Sequence, residues 1–148
     1  MTTVKEVMMT GVAAVGISTP TVEVAQRMKT SGAGTIPVCE DGKLCGIITE
    51  RDIVVSVVAT SWDPGATPAG SVMSRDWPTV SPNEDIWRAV NVMADRGTKV
   101  LPVVQGSKLV GLLSLDDLTR ESSALAAVVF SRSIKPQSNK SALYVRRR

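Results

Sequence analysis

The chain has 148 residues, 43% of them hydrophobic but only three tryptophans, one tyrosine and one phenylalanine, and carries a formal charge of +3. That length suits one compact domain or two small halves that share a buried face. It contains no histidine, which removes the commonest general base and the commonest metal ligand and argues against many enzymes.

The charge is uneven. Up to Glu121 there are eleven basic and fourteen acidic residues, whereas Ser122 to Arg148 holds six basic residues and no acid. The longest uncharged apolar run, Ala124 to Phe130, is far short of a membrane span, and Met1 to Glu6 has no apolar signal core. A cytoplasmic protein without membrane contact is expected.

Displacing the sequence by 65 positions lays Leu44-Cys45-Gly46-Ile47-Ile48-Thr49-Glu50-Arg51-Asp52-Ile53 on Leu109-Val110-Gly111-Leu112-Leu113-Ser114-Leu115-Asp116-Asp117-Leu118 without a gap. Val7-Met8 falls on Val72-Met73, Val15 on Val80, Met28 on Met93, Gly32 on Gly97 and Pro37-Val38 on Pro102-Val103. A match of this length indicates an internal duplication. The first repeat is assigned residues 1–60, a linker 61–67, the second repeat 68–125, and a basic, partly disordered tail 126–148.

In chain order, Thr3-Val4-Lys5-Glu6 has the form of a capping box and predicts a short helix including Val7 and Met8. Its copy is expected to start at Thr67-Pro68, with proline at the first helical position. Short extended pieces follow at Val12 to Ile17 and Trp77 to Ser81. Ser81-Pro82-Asn83-Glu84 then offers an N-cap, an N1 proline and an N3 glutamate, ahead of an apolar face formed by Ile86, Ala89, Val90 and Met93. Thr21, Val24, Ala25 and Met28 are the equivalent face, and Gly32 and Gly97 stand where left-handed C-terminal caps are wanted.

Next come β-hairpins, Thr35 to Cys39 and Leu44 onward about Asp41-Gly42, and Val100 to Val104 and Leu109 onward about Gln105-Gly106. With a two-residue turn, Cys39 pairs opposite Leu44, Cys45 points to the other face, and both cysteines read as small buried hydrophobes. Ile53 to Ala59 is valine-rich enough to favour strand, yet its polar copy and the capping hydroxyls of Thr49 and Ser114 predict helices. The result is an α+β fold of two β-α-β-β-α repeats packed about a pseudo-twofold axis.

Thr49-x-x-Asp52 and Ser114-x-x-Asp117 serve first as helix caps, a hydroxyl at N-cap and a carboxylate at N3. A carboxylate at a strand-to-helix junction can also accept hydrogen bonds from the vicinal hydroxyls of a ribose. Gly32-Ala33-Gly34 is not a dinucleotide loop, because Pro37 replaces the third glycine and a helix precedes it.

The element order, Gly32-x-x-x-Ile36-Pro37, Gly97-x-x-x-Leu101-Pro102 and above all Gly46-Ile47-Ile48-Thr49-Glu50-Arg51-Asp52 resemble a tandem pair of cystathionine-β-synthase (CBS) domains over about Val4 to Leu125. The resemblance implies a regulatory module without catalytic activity or a resident cofactor. Its clefts would bind an adenosine-containing ligand, AMP, ADP, ATP or S-adenosylmethionine, and its occupancy would alter a regulated partner protein. One cleft would use Thr49 and Asp52 with Ile36, Pro37 and backbone near Ala14-Val15, with Arg51 on phosphate. The other would use Ser114 and Asp117 with Leu101, Pro102 and backbone near Thr79-Val80. There Asp116 replaces the arginine, and Lys99 is the compensating cation.

At ~6 Å and an effective dielectric of ~20, Arg51 and Asp116 would each contribute roughly 3 kcal/mol toward a phosphate, with opposite sign before screening. The Thr49 and Asp52 cleft is therefore expected to fill first. The resemblance also implies helix-to-helix stacking, and the valines Val54, Val55, Val57 and Val58 are too many for one buried face, so a homodimer is expected. A ligand-independent scaffold is the alternative reading. Nucleic-acid binding by the basic tail is disfavoured, because six cations are spread over 27 residues with few aromatics.

Overall fold

The computed structural model describes residues 1–133. Its elements are α1 (Val4–Val7), α2 (Thr21–Ser31), β1 (Thr35–Glu40), β2 (Lys43–Thr49) and α3 (Glu50–Ile53), which continues as a π-helical turn over Val54–Val58. A 3₁₀ turn at Ala69–Ser71 leads to α4 (Ile86–Arg96), β3 (Val100–Gln105), β4 (Lys108–Ser114), α5 (Leu115–Glu121) and α6 (Ser123–Ser133). The hairpins join in one sheet of order β1-β2-β4-β3. Their contact is the antiparallel pair Lys43↔Lys108. These residues are repeat equivalents, as a pseudo-twofold passing beside them requires. The first extended piece of each repeat joins through one residue, Val15↔Val38 or Val80↔Val103.

Both long helices end where expected, on Gly32 (φ 75°) and Gly97 (φ 65°), in the left-handed region that favours glycine. Asp41 and Gly42 both have positive φ, and Glu40 pairs with Lys43 across that two-residue turn. The second turn is Gly106-Ser107, one residue later than expected, because Gln105 pairs with Lys108. Cys39 does face Leu44, while Cys45 is the extra residue of a bulge after Val38. Both thiols are free and half-buried rather than buried, since they lie near the turn of the hairpin, away from its buried middle.

Two helix starts differ from expectation. The cap of α4 is Asp85, whose carboxylate accepts from the Trp87 amide at 2.9 Å. Ser81 to Glu84 stays outside the helix because the carbonyls of Pro82 and Glu84 accept the amides of Lys5 and Val4. The copy of α1 is only the 3₁₀ turn, with Pro68 at its N-cap, because proline supplies neither a side-chain acceptor nor a backbone N–H.

These bonds reveal an exchange between the repeats. The segment around α1 belongs to the core of the second repeat, where Val4 packs with Val80, Met93, Leu101 and Leu118. Ala69, Val72 and Met73 instead pack into the first-repeat core with Val24, Val38 and Ile48. Gly46 and Gly111 permit the crossing. A Cβ on Gly46 would stand 2.7 Å from the Ser74 carbonyl oxygen, and one on Gly111 would stand 2.7 Å from that of Met9. Glycine inside a strand marks such close backbone approach.

The valine-rich stretch is helical, overriding its strand propensity, because Thr49 caps it. Val57 is buried, whereas Val54, Val55 and Val58 are exposed. Residues 126–133, expected to begin the tail, continue α6 instead. Leu125 and Val129 anchor that helix in the second core, and Arg132 bonds Asn91 and Asp95 on α4. The expected disorder and any nucleic-acid role of residues 134–148 lie outside the described residues. Among the described residues no helix is long and apolar enough to cross a membrane.

Candidate functional site

Each carboxylate of the duplicated motif sits where a strand turns into a helix. Asp52 Oδ2 accepts from the Thr49 amide at 2.8 Å, and Thr49 Oγ1 accepts from the Asp52 amide at 3.1 Å. Ser114 and Asp117 repeat that reciprocal box at the same two distances. The sequence forms it locally: a hydroxyl at N-cap and a carboxylate at N3 satisfy donors that the first turn leaves unpaired.

Around the box the repeats diverge. The Ser114 hydroxyl donates to Asp117 Oδ2 at 2.8 Å, and Arg120 pairs with Asp117 Oδ1. Asp117 is 4% exposed, so both of its oxygens are engaged within the protein. Asp52 is half-buried, and among the described residues no bond to its Oδ1 is found. At the position equivalent to Arg120 the first repeat has Val55.

Two cavities flank the inter-repeat seam. The larger, about 660 Å³, is walled by Met9, Gly11 to Ala13, one face of α2 from Glu23 to Ser31, Ala33 and Thr35 to Pro37, with Leu112 its contribution from the second repeat. The smaller, about 490 Å³, is walled by Ser74, Asp76 to Pro78 and Arg96 to Val100, with Thr35 its contribution from the first. At the 65-residue offset Gly11, Val12, Ala13, Ser31, Ala33 and Thr35 fall on Asp76, Trp77, Pro78, Arg96, Thr98 and Val100. The cavities are therefore repeat equivalents with different linings.

Each cavity combines the front of one repeat with the back of the other. Thr35, the smaller cavity's contact with the first repeat, pairs across the hairpin with Thr49, which brings the first motif beside that cavity, and Thr35 lines the larger cavity as well. Leu112 lies two residues before Ser114 on the same strand face, which puts the larger beside the second. The expected groupings of Thr49 and Asp52 with Ile36 and Pro37, and of Ser114 and Asp117 with Leu101 and Pro102, are not the ones the cavities make. The exchanged leading segments cross them.

Of the expected residues, Ile36 and Pro37 line the larger cavity and Lys99 the smaller. Val15, Val80 and Leu101 are buried in the cores, Pro102 is buried, and Thr79 and Arg51 are exposed without lining either space. Thr49, Asp52, Ser114 and Asp117 stand beside the cavities rather than in their walls. Trp77 and Arg96 escaped the sequence reading. A signal for them existed in the equivalent pairs Val12/Trp77 and Ser31/Arg96, where the duplication changes chemistry.

Burial, and secondarily the neighbouring Cys45, pushes the Cys39 thiol up, which leaves it a poor nucleophile near neutrality. Among the described residues no cluster of three or more thiol or carboxylate groups could hold a metal ion.

The CBS domain family model matches residues 4–59 and again 69–124. CBS domain-containing protein YhcV of Bacillus subtilis is 39% identical over 118 residues, spanning 80% of this chain and 84% of its own. Hypoxic response protein 1 of Mycobacterium tuberculosis is 33% identical over 135 residues, 90% of this chain and 94% of its own. A crystal structure of Hypoxic Response Protein I, with two coordinated zinc ions, superposes with a TM-score of 0.74 at 33% identity, covering 82% of this chain and 99% of that one. A structure of CBSX2 in complex with AMP shares the fold, with a TM-score of 0.74 at 18% identity over 84% and 98% of the two chains.

Proposed function

This chain belongs to the CBS domain family, and from that premise we propose that it is a non-catalytic regulatory module whose inter-repeat clefts bind an adenosine-containing ligand: AMP, ADP, ATP or S-adenosylmethionine. The observation that carries this reading is the pair of repeat-equivalent cavities, each built across the repeats and each beside a Thr/Ser-x-x-Asp cap. Asp52, with an uncommitted oxygen at the first seam, is the group suited to vicinal ribose hydroxyls. CBSX2 binds AMP on the same fold, which supports the ligand class. Occupancy would reach the regulated partner by linkage, since a ligand shifts an equilibrium only by its differential affinity for two states.

The module acts as a homodimer in this reading. Val54 at 57% exposure, Val55 at 48% and Val58 at 66% form an apolar strip on one helix that a second copy would cover. Sedimentation is expected to show a dimer at micromolar concentration, and a monomer there removes this part of the proposal.

Thermal melting against AMP, ADP, ATP and S-adenosylmethionine tests the ligand class. One of them should stabilise the fold by about 2.7 kcal/mol at a hundredfold excess over its Kd. The scaffold reading draws on one specific observation, that both motifs are complete caps and Asp117 is fully engaged internally. A flat response to all four ligands would favour it.

A further inference from the structure

The smaller cavity differs from its repeat equivalent in charge and in aromatic content. Trp77 is half-buried and its Nε1–H donates to the Val100 carbonyl at 3.2 Å, so the indole is held as a fixed wall. Arg96 stands beside it, 3.4 Å from Asp76, whose side chain is 98% exposed. That pair is therefore weak and readily exchanged for a better anion. Lys99 lines the same space and, among the described residues, has no ion-pair partner. Its backbone is anchored, because its carbonyl accepts from the Leu115 amide at 2.8 Å.

The equivalent residues are Val12 and Ser31, which line the larger cavity, and Gly34, which lies between its wall residues Ala33 and Thr35. Its own cation, Arg27, already bonds the Ala14 carbonyl at 3.2 Å and Glu23 at 3.2 Å. A Cβ on Gly34 would meet the Glu50 carboxylate at 3.2 Å, so a negative charge stands next to the position where the other repeat has a lysine. A phosphate would find an unpaired lysine and a loosely paired arginine on one side of the seam, and a committed arginine and opposing charge on the other.

We propose that the smaller cavity is a nucleotide-selective site, in which Trp77 stacks on the adenine while Lys99 and Arg96 hold the phosphate, and that the larger cavity discriminates against phosphate. This rests on the adenosine-ligand reading above and adds to it which cleft takes the charged ligand and through which residues. Stacking is tolerant of the base's edge pattern and depends on the aromatic face, whereas the two cations act only on the phosphate and are screened by salt. The two contributions are therefore separable.

The test is calorimetry on the full chain with AMP and with uncharged adenosine at low and high salt. The wild type is compared with Trp77→Val, Trp77→Phe and the double change Arg96→Ser with Lys99→Gly. Wild type should prefer AMP, with the preference shrinking as salt rises. The double change should weaken AMP binding about ten-fold or more and adenosine binding less than about two-fold. Trp77→Val should weaken both ligands about ten-fold, while Trp77→Phe, which keeps the aromatic face, should retain most of the binding. An unchanged AMP-to-adenosine ratio in the double change overturns this inference and leaves the adenosine-ligand reading standing. A wild type that binds neither these two nor S-adenosylmethionine overturns both.

Discussion

Asp52 and Asp117 occupy the same place in the same fold and differ in what is left of them for a ligand. Both cap a helix with the same distances. Asp117 then accepts from the Ser114 hydroxyl and from Arg120 and is nearly sealed, whereas Asp52 keeps an oxygen uncommitted. The contrast extends along the seam. Lys99 and Arg96 line the cavity beside the first motif, and the cavity beside the second has only an arginine already paired. Duplication preserved the capping role, which folding needs in both repeats, and released the polar surroundings to differ.

The strongest challenge to this comparison is to the symmetry beneath it. Gly46→Ala and Gly111→Ala should each destabilise by about 1–3 kcal/mol, because a backbone carbonyl must move aside in either repeat. Denaturant unfolding measures this, and a neutral outcome for either would mean that the exchanged segment does not lie against that strand. The carboxylates should then rank oppositely in stability and in binding. Asp117→Ala is expected to cost about 1–2 kcal/mol and Asp52→Ala about half as much, since more bonds end on Asp117.

A charge reversal sharpens the electrostatic half. Lys99→Glu, at a residue that lines the smaller cavity, should weaken AMP binding by roughly ten-fold in calorimetry. The smallest effect is expected from Arg120→Val, which installs the first repeat's residue. Arg120 is 72% exposed in its side chain, so the loss should be only a few tenths of a kcal/mol in thermal melting. A loss above about 1 kcal/mol would show that the pair does more than engage Asp117.

Both hairpins and the glycine caps were legible because each depends on residues near one another in sequence, and the duplication and the helical state of the valine run because the two copies can be compared at a fixed offset. The cap at Asp85 was not, because Ser81 to Glu84 is a sound helix start whose carbonyls are taken by α1 from the far end of the chain. The crossing of the repeats was hidden for a related reason. An ungapped self-match shows which residues are equivalent and is silent on which copy's front meets which copy's back. Gly46 and Gly111, glycines within strands, were the available clue. For the site, the motif carboxylates stood out as repeated residues, while Trp77 and Arg96 went unseen because they are where the repeats differ.

If the asymmetry holds, the first motif, and not the second, serves the charged ligand. Titrating AMP into the Asp52→Ala and Asp117→Ala proteins under identical salt tests it most directly. Asp52→Ala should lose at least ten-fold in affinity, about 1.4 kcal/mol, while Asp117→Ala should change it less than about two-fold once both are shown to be folded. If Asp117→Ala is the damaging change and Asp52→Ala is not, the asymmetry is reversed and the second motif serves the charged ligand.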